Sequence, residues 1–275
     1  MDRALLVGIN KYPDPNTLNG CVNDVNDMAD FIVSKCGFTH NHVRLLVDER
    51  ATAKNILERL GWLLNGVRAG DRVLFHYSGH GAQVASRNPK GETDKLDEVI
   101  CPVDFDYDDN QTMIRDKDFV RLFSSIPKGV EFVWVSDSCF SGGLTRGMIK
   151  MPKGVKAFTH KHYKLPADIC WRNKTAEANK IKPLGIKKAA QEVNVALISG
   201  CTETQESSDA EINGRYNGAL TYYLLKTLRA SKGLNAPLSS IVKTVKELIH
   251  KEGYTQHPEL LGSSLIAKKA FLSSK

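Results

Sequence analysis

Two stretches of the chain carry the pattern that decides the fold: residues 72–81, RVLFHYSGHG, and residues 131–139, EFVWVSDSC. Each opens with an apolar run of strand length, which is typical of a strand buried in a parallel sheet. Each run is followed by small residues around one reactive side chain, His80 in the first stretch and Cys139 in the second. Functional groups in parallel sheets collect at the carboxyl ends of strands, so these stretches predict a fold and a site together.

Around these stretches, the chain alternates between strand and helix patterns. Further strand-like runs cover residues 3–10, 43–47 and 194–199. Apolar residues recur at helical spacing over residues 21–36, 52–67, 118–125, 217–228 and 238–250. This order predicts βαβ crossovers, which produce a parallel sheet with helices on both faces. We expect one α/β domain over residues 1–275, with no internal repeat.

The composition excludes several classes of protein. With 41% hydrophobic and 25% charged residues, the chain of 275 residues is not disordered throughout. Its apolar runs are far shorter than the roughly 20 residues of a membrane span, and its N-terminus lacks the order of a signal peptide. Its six cysteines show no zinc-binding spacing and no secretory context that would indicate disulfides. We therefore expect a cytoplasmic protein with no membrane contact.

The positive charge of the chain is concentrated in one segment. The net charge is +7, yet residues 146–188 contain 12 Lys/Arg and two acids, so the rest of the chain is acidic overall. Faces that bind nucleic acid carry their basic residues on folded elements with aromatic residues between them, whereas this segment is weakly periodic. Nucleic acid is therefore not an expected partner. We expect a basic linker, residues 145–190, between a large part, residues 1–144, and a small part, residues 191–275.

His80 and Cys139 are candidates for a thiol–imidazole dyad. A free thiol has a pKa of about 8.5, so it becomes a good nucleophile at neutral pH when an imidazole accepts its proton. The same imidazole can then protonate a leaving amine, which implies acyl transfer. The N–H groups of Gly81 and Cys139 are candidates for an oxyanion hole. Taken singly, Cys139 is more simply a small core residue and His80 a turn residue; their joint position at two strand ends favours the catalytic interpretation.

Further motifs extend the pattern over nearly the whole chain. The residues at 77–81, YSGHG, and at 137–143, DSCFSGG, resemble those of the caspase-like cysteine peptidases, and specifically the metacaspases and their bacterial relatives, the orthocaspases. The same resemblance covers, in order, residues 18–24, 97–100, 102–104, 199–201, 205, 218–221 and 256–258. It implies a caspase-type three-layer sandwich with a mostly parallel six-stranded sheet. It also implies a cysteine endopeptidase acting on proteins or peptides.

The resemblance implies a specificity as well. Metacaspases cleave after Arg or Lys, and by position Cys21, Asp24, Ser78 and Asp137 match the residues that line the family's pocket for that side chain. Paired carboxylates suit a cation, and a guanidinium can bind them by forked hydrogen bonds. Without the resemblance, Asp24 is equally well explained as a first-turn helix acid and Asp137 as a turn residue. A protease for Lys or Arg bonds would find 12 candidate sites in residues 146–188, so we expect self-processing there.

No metal site is predicted, and the sequence argues against calcium activation without closing the question. Many metacaspases bind calcium through acids that include an adjacent Asp pair, but here the nearest match is Asp116-Lys117-Asp118. Phe140 is a second departure, because many members of the family have His after the nucleophile. An EF-hand starting at Asp104 is excluded, since its sixth position is Asp109 and not Gly. Asp97 and the acids at residues 104–109 still provide carboxylate oxygens, the ligands that calcium prefers, near this segment.

Three alternatives to a peptidase fit parts of the sequence. A cysteine phosphatase needs five residues between Cys and Arg, and six separate Cys139 from Arg146. A zinc site at His76 and His80 would need helical spacing, but these residues follow a strand pattern. A caspase-like scaffold without activity is the remaining alternative, and the presence of both His80 and Cys139 argues against it. We expect the protein to be a monomer.

Overall fold

The computed structural model describes residues 1–85, 96–139, 157–164, 166, 195–201, 207–230 and 233–272. The strands in these ranges are β1 (Arg3–Gly8), β2 (Val43–Val47), β3 (Arg72–Ser78), β4 (Gly81–Ala85), β5 (Leu96–Ile100), β6 (Ile114–Arg115), β7 (Glu131–Asp137), β8 (Phe158–His160), β9 (Ala196–Ser199), β10 (Ser208–Ile212), β11 (Arg215–Gly218) and β12 (Glu259–Gly262). The α-helices are α1 (Cys21–Cys36), α2 (Ala53–Leu64), α3 (Asp116–Phe123), α4 (Ala219–Arg229), α5 (Leu238–Lys251) and the short α6 (Ser264–Ala267).

The central sheet has six strands in the order β12-β9-β7-β3-β1-β2. The strands β2, β1, β3, β7 and β9 run parallel, and β12 lies antiparallel to β9 at one edge. The predicted mostly parallel six-stranded α/β sheet is therefore confirmed. The antiparallel edge strand β12 was not predicted, because its four half-buried residues lack the apolar run of the buried strands.

Side chains alternate between the two faces of the sheet and form a separate core on each. Along β1, Leu5 and Val7 pack in a core with residues of α2 and α3. Ala4 and Leu6 point to the other face, where they pack in a core with residues of α1, α4 and α5. The molecule is consequently a three-layer sandwich, with helices covering both sides of the sheet.

Local signals explain where the helices begin and end. The side chain of Thr52 accepts a hydrogen bond from the N–H of Asn55 and caps α2, while Gly37, with φ of 72°, ends α1 in the left-handed conformation. The helix predicted over residues 217–228 begins at Ala219. The reason is tertiary: residues 215–218 form β11, which pairs with β10.

Two small sheets, β4-β5-β6 and β11-β10-β8, complete the fold and were not predicted. The strand β4 begins directly after His80, and β8 lies inside the predicted linker, where the sequence indicated a weakly structured stretch. Short strands of this kind lack a long apolar run and depend on their pairing partners. Within the described residues, no helix combines the length and the apolar character needed to cross a membrane.

Candidate active site

The two predicted reactive residues leave the sheet at the same edge. The strands β3 and β7 are parallel neighbours, and their register pairs Ser78 with Asp137. His80 and Cys139 each follow two residues later, and both are buried. The topology therefore brings together the ends of the two strands that the sequence singled out.

Residues 157–164 cross this edge of the sheet in an extended path. The strand β8 pairs antiparallel with β10, with His160 opposite Ser208. The N–H of Lys161 then donates to the carbonyl oxygen of Ser207 at 2.9 Å. The carbonyl oxygen of Lys161 accepts two further hydrogen bonds, from the N–H of Gly81 and from the N–H of Cys139, both at 3.2 Å. The two amides predicted to form an oxyanion hole thus converge on one peptide carbonyl.

The side chain of Lys161 fills a closed pocket. Its ammonium nitrogen lies 2.8 Å from the Ser78 hydroxyl, 3.3 Å from an Asp24 carboxylate oxygen and 3.2 Å from an Asp137 carboxylate oxygen. All four side chains are fully buried. Three of the four residues predicted for a basic side chain therefore contact the ammonium group of one lysine.

The fourth predicted residue, Cys21, lies at the same pocket. It begins α1, its thiol hydrogen-bonds to Ser78, and it interacts electrostatically with Lys161. Burial raises the pKa of the Cys21 thiol well above its usual range. The thiol is therefore neutral at physiological pH, and Cys21 contributes packing and a weak polar contact and no charge.

Both carboxylates of the pocket are held by further groups. Asp137 accepts hydrogen bonds from the N–H and the hydroxyl of Thr221, each at 2.8 Å, and from the Ser207 hydroxyl at 2.7 Å. Because Thr221 lies in the first turn of α4, Asp137 also faces the positive end of that helix. Asp24 accepts from the N–H of Gly218 at 2.9 Å. These contacts fix the carboxylates before any cation binds.

The charges of the pocket are unequal. Burial alone would raise the pKa of Asp137, but Lys161, Ser207 and Thr221 together hold it below its usual value. Burial raises the pKa of Asp24 to about 7, against the attraction of Lys161, and the nearby Asp137 adds to this rise. Although burial disfavours the ammonium group, the surrounding carboxylates raise the pKa of Lys161 well above its usual value. The firm ion pair is therefore Lys161 with Asp137, and Asp24 is the carboxylate that takes up a proton first.

The imidazole of His80 is oriented by a backbone carbonyl. Its Nε2 lies 2.6 Å from the carbonyl oxygen of Asn16, and because that oxygen only accepts, Nε2 carries the proton. The other ring nitrogen, Nδ1, is buried and makes no hydrogen bond to the described residues. Burial lowers the pKa of His80 to about 3, although the backbone oxygens of Asn16 and Lys161 favour the charged ring. The ring is therefore neutral, with an unprotonated Nδ1.

Several residues around this site were missed by the sequence reasoning. Asp209 is buried beside the pocket, where burial raises its pKa, and its charge interacts with that of Lys161. Ser207 contacts Cys139 through its N–H, which hydrogen-bonds to the sulfur, and through its carbonyl oxygen, 3.4 Å from the sulfur. The others are Asn16, Lys161, Asn217, Gly218 and Thr221. Gly218 and Thr221 lie in a stretch that supported the family resemblance, which assigned them no role.

Two of the acids considered for calcium, Asp97 and Asp116, are already compensated in the structure. Asp97 pairs with Arg115 at 2.6 Å and with Lys117 at 3.3 Å, so two basic side chains already neutralise it. Burial, together with the neighbouring Asp97, raises the pKa of Asp116 to about 8. No group of three or more His, Cys, Asp or Glu side chains arranged for a metal occurs in the part of the chain that the structure describes. His76, weighed earlier for zinc, lies within β3 and contacts the Thr221 hydroxyl at 3.2 Å.

Comparisons with known proteins agree with the fold and with the family resemblance. The sequence profile of the metacaspase, peptidase C14 domain matches residues 2–147. Metacaspase-1 of Meyerozyma guilliermondii is 30% identical over 292 residues, which cover 95% of this chain and 69% of that protein. Metacaspase-1 of Scheffersomyces stipitis is 30% identical over 289 residues, covering 94% of this chain and 70% of that protein.

Two solved structures are similar over most of their length. A protein of Geobacter sulfurreducens has a TM-score of 0.69 at 25% identity, over 99% of this chain and 98% of that one. Caspase-1 of Spodoptera frugiperda shares the fold, with a TM-score of 0.58 at 11% identity over 95% of this chain and 86% of its own. The sequence matches and the shared fold show that the chain belongs to the metacaspases, a family of caspase-like cysteine peptidases that act on proteins.

Proposed function

We propose that the protein is an endopeptidase that cleaves after Lys or Arg with His80 and Cys139, and that the bond between Lys161 and His162 is its own first substrate. One observation carries the proposal. The Lys161 ammonium group is buried between two carboxylates while its own carbonyl oxygen accepts hydrogen bonds from the amides of Gly81 and Cys139. A substrate residue before a cleaved bond needs both contacts at once, one for recognition and one for the developing oxyanion.

The first half of the reaction transfers the acyl group to sulfur. The Nδ1 atom of His80 takes the Cys139 proton, and the sulfur attacks the carbonyl carbon of Lys161. The amides of Gly81 and Cys139 stabilise the negative charge that forms on the oxygen. His80 then gives the proton to the amide nitrogen of His162, which leaves as an amine, and a thioester on Cys139 remains.

The second half returns the enzyme to its starting state. A water molecule gives a proton to His80 and attacks the thioester carbon, and the acid with Lys161 as its last residue is released. The proton then returns from His80 to the Cys139 sulfur. The hydrogen bond from Nε2 to the Asn16 oxygen supports both halves, because it fixes the tautomer in which Nδ1 is the base.

The same pocket explains the preference for a cation. An unpaired carboxylate in a closed pocket is costly, so a neutral side chain that displaces Lys161 leaves Asp137 without its partner. A longer guanidinium meets the same carboxylates and the Ser78 hydroxyl, which is an acceptor as well as a donor. Cleavage after Lys161, inside the linker of residues 145–190, would leave the large part, residues 1–144, in one fragment and the small part, residues 191–275, in the other. The monomeric state and the cytoplasmic location stay predictions from the sequence.

Variants at two lysines test the proposal. We expect the wild-type protein to yield fragments of residues 1–161 and 162–275 by intact mass, and Cys139→Ala to stay whole. Lys161→Met should block this cut, Lys161→Arg should restore it, and the exposed neighbour Lys164→Met should cut normally. Efficient cutting of Lys161→Met after residue 161 would overturn the pocket assignment.

A second assay tests activity on other molecules. Peptides with Lys or Arg before the scissile bond should be cleaved, and matched peptides with Asp there should not. An intact wild-type chain that cleaves none of these peptides would favour the inactive scaffold.

A further inference from the structure

The chain beyond the Lys161 carbonyl follows a second, independently held path. The N–H of Tyr163 donates to the carbonyl oxygen of Gly81 at 3.0 Å, and the N–H of Lys164 donates to the side-chain oxygen of Asn16 at 2.7 Å. Gly81 therefore binds the chain on both sides of the bond, with its N–H toward Lys161 and its carbonyl toward Tyr163. The residues that follow the bond lie in a defined register on the protein.

This register places the Tyr163 ring in a cluster of aromatic side chains. Its centroid lies 5.0 Å from that of Phe105, 5.9 Å from Tyr12, 5.7 Å from His80 and 6.4 Å from Tyr107. The contacts with Phe105, Tyr12 and His80 are edge-to-face, the geometry in which aromatic pairs attract each other. The Asn16 side chain also hydrogen-bonds to the Tyr163 hydroxyl.

The walls of this cluster belong to parts of the chain outside the linker. Tyr12 lies between β1 and α1, and Phe105 and Tyr107 lie between β5 and β6. Tyr12 and Phe105 are 5% and 8% exposed, and Phe105 and Tyr107 contact each other at 4.8 Å between centroids. The Tyr12 hydroxyl donates to the carbonyl oxygen of Cys101 at 2.8 Å. These contacts hold the walls in place without Tyr163.

The sequence of the linker agrees with a role for this cluster. Among the 12 Lys/Arg of residues 146–188, only Lys156 and Lys161 are followed two positions later by an aromatic residue. Basic residues alone do not distinguish one candidate bond from another. An aromatic side chain two residues after the bond separates Lys161 from ten of the others.

We propose that Tyr12, Phe105 and Tyr107 form a subsite that selects substrates with an aromatic residue two positions after the cleaved bond. This proposal rests on the proposed function, since it concerns substrates cleaved after Lys or Arg. The substrate class is an exposed segment in which Lys or Arg is followed by any residue and then by Tyr, Phe or Trp. Tyr163 of the linker is the first occupant, and cleavage after Lys161 makes the subsite available to other chains.

Internally quenched peptides test the subsite. Two peptides with Lys before the bond and His after it differ only in the next residue, Tyr or Ala. We expect the processed wild-type enzyme to cleave the Tyr peptide about tenfold faster in kcat/KM, the factor given by one or two aromatic contacts. In Phe105→Ala the ratio of the two kcat/KM values should fall to about one or two. The ratio is taken on one preparation, so a loss of folded enzyme cancels.

The outcomes separate the subsite from the proposed function. Equal kcat/KM for both peptides in the wild-type enzyme would overturn the subsite while leaving cleavage after Lys intact. A tenfold ratio that persists in Phe105→Ala would overturn the assignment of the walls. If the enzyme cleaves neither of the two Lys peptides and no matched Arg peptide, both the proposed function and the subsite are wrong.

Discussion

Gly218 closes the bottom of the pocket that Lys161 fills. A Cβ atom at this position would collide with the Lys161 ammonium nitrogen and with carboxylate oxygens of Asp137 and Asp24. The backbone there is extended and would accept another residue, so the need for glycine comes from the space that the cation occupies. Because Gly218 has no side chain, the pocket has room for the ammonium group of a lysine.

Substitution of this glycine should therefore impair recognition. We expect Gly218→Ala to lower kcat/KM for Lys peptides by at least about tenfold, since overpacking in a closed site typically costs 1–3 kcal/mol. Gly61→Ala, in α2, is the control, because a Cβ there meets no atom within 4 Å. The thermal midpoint of both variants shows whether folding is retained. A folded Gly218→Ala enzyme with wild-type kcat/KM would contradict the pocket geometry.

The burial of His80 predicts a difference in pH dependence between self-cleavage and peptide cleavage. With the linker bound, burial lowers the pKa of His80 to about 3, so the ring stays an unprotonated base well below pH 6. The kcat/KM for peptides instead reports the free enzyme, in which the linker no longer covers His80, so we expect the pKa of His80 to be higher there. Peptide cleavage should therefore fall at a higher pH than self-cleavage as the solution is made more acidic.

Refolding makes this comparison measurable. Unprocessed chain, purified in denaturant, is diluted into buffers of pH 5 and pH 7.5, and fragment formation is followed on gels. We expect the ratio of the self-cleavage rate to the peptide kcat/KM to be higher at pH 5 than at pH 7.5. If the rates of self-cleavage and peptide cleavage fall over the same acidic pH range, the linker does not shift the pKa of His80.

At the same scale, the sequence identified part of the site and left the rest hidden. His80 was found because it follows a strand, and Asp24, Ser78 and Asp137 because their positions match the pocket of the family that the sequence resembles. All four lie at Lys161 or beside it. Lys161 itself was one basic residue among 12, and the aromatic residue two positions later, a feature it shares with Lys156, does not single it out. Only the pairing of β8 with β10 selects it, and that contact joins segments distant in sequence.

Basic side chains at the start of α3 compensate a carboxylate of the neighbouring strand β5. Arg115 and Lys117 flank the first residue of the helix and both pair with Asp97 of β5. Asp116, between them, is buried and has a pKa raised to about 8, so it holds a proton at neutral pH. The charge of Asp97 is therefore offset, and Asp116 carries none, without an added cation.

Removal of divalent cations should accordingly leave the activity unchanged. We expect kcat/KM for Lys peptides to stay within about twofold after dialysis against a chelator, and added calcium to cause no further increase, because Arg115 and Lys117 already neutralise Asp97. A control with added magnesium separates general ionic effects from calcium binding. A loss of activity on chelation that calcium alone reverses would contradict this reading of α3.

The elements differ in how well the sequence predicts them. The bounds of α1 and β2 are those of their apolar patterns, since each is long enough or buried enough to be specified locally. The strands β4, β5, β8, β10 and β11 carry no comparable pattern. They are stabilised by pairing within the two small sheets, β4-β5-β6 and β11-β10-β8. Their formation therefore depends on the rest of the fold being in place.

At the scale of the whole molecule, the bond after Lys161 separates two segments that share one sheet. Strand β9 pairs in parallel with β7, and helices α4 and α5 share a buried core with β1 and α1. A cut at residue 161 removes none of these contacts.

The fragments should consequently stay together. We expect residues 1–161 and 162–275 to elute as one species in size exclusion and to part only in denaturant, because the apolar area shared across β7 and β9 would otherwise be exposed. The elution volume should match that of Cys139→Ala. Elution of two separate folded fragments would show that the sheet does not hold the processed protein together.

Lys161 and the catalytic cleft it enters are parts of one polypeptide, and this sets the order of the activation kinetics. On the proposed function, each molecule converts itself in a unimolecular event whose half-time is the same at any dilution. Crowding, clustering or recruitment to a scaffold would then leave the onset untouched. Activation begins when a single molecule completes its folding, and its rate does not depend on the other molecules in the solution.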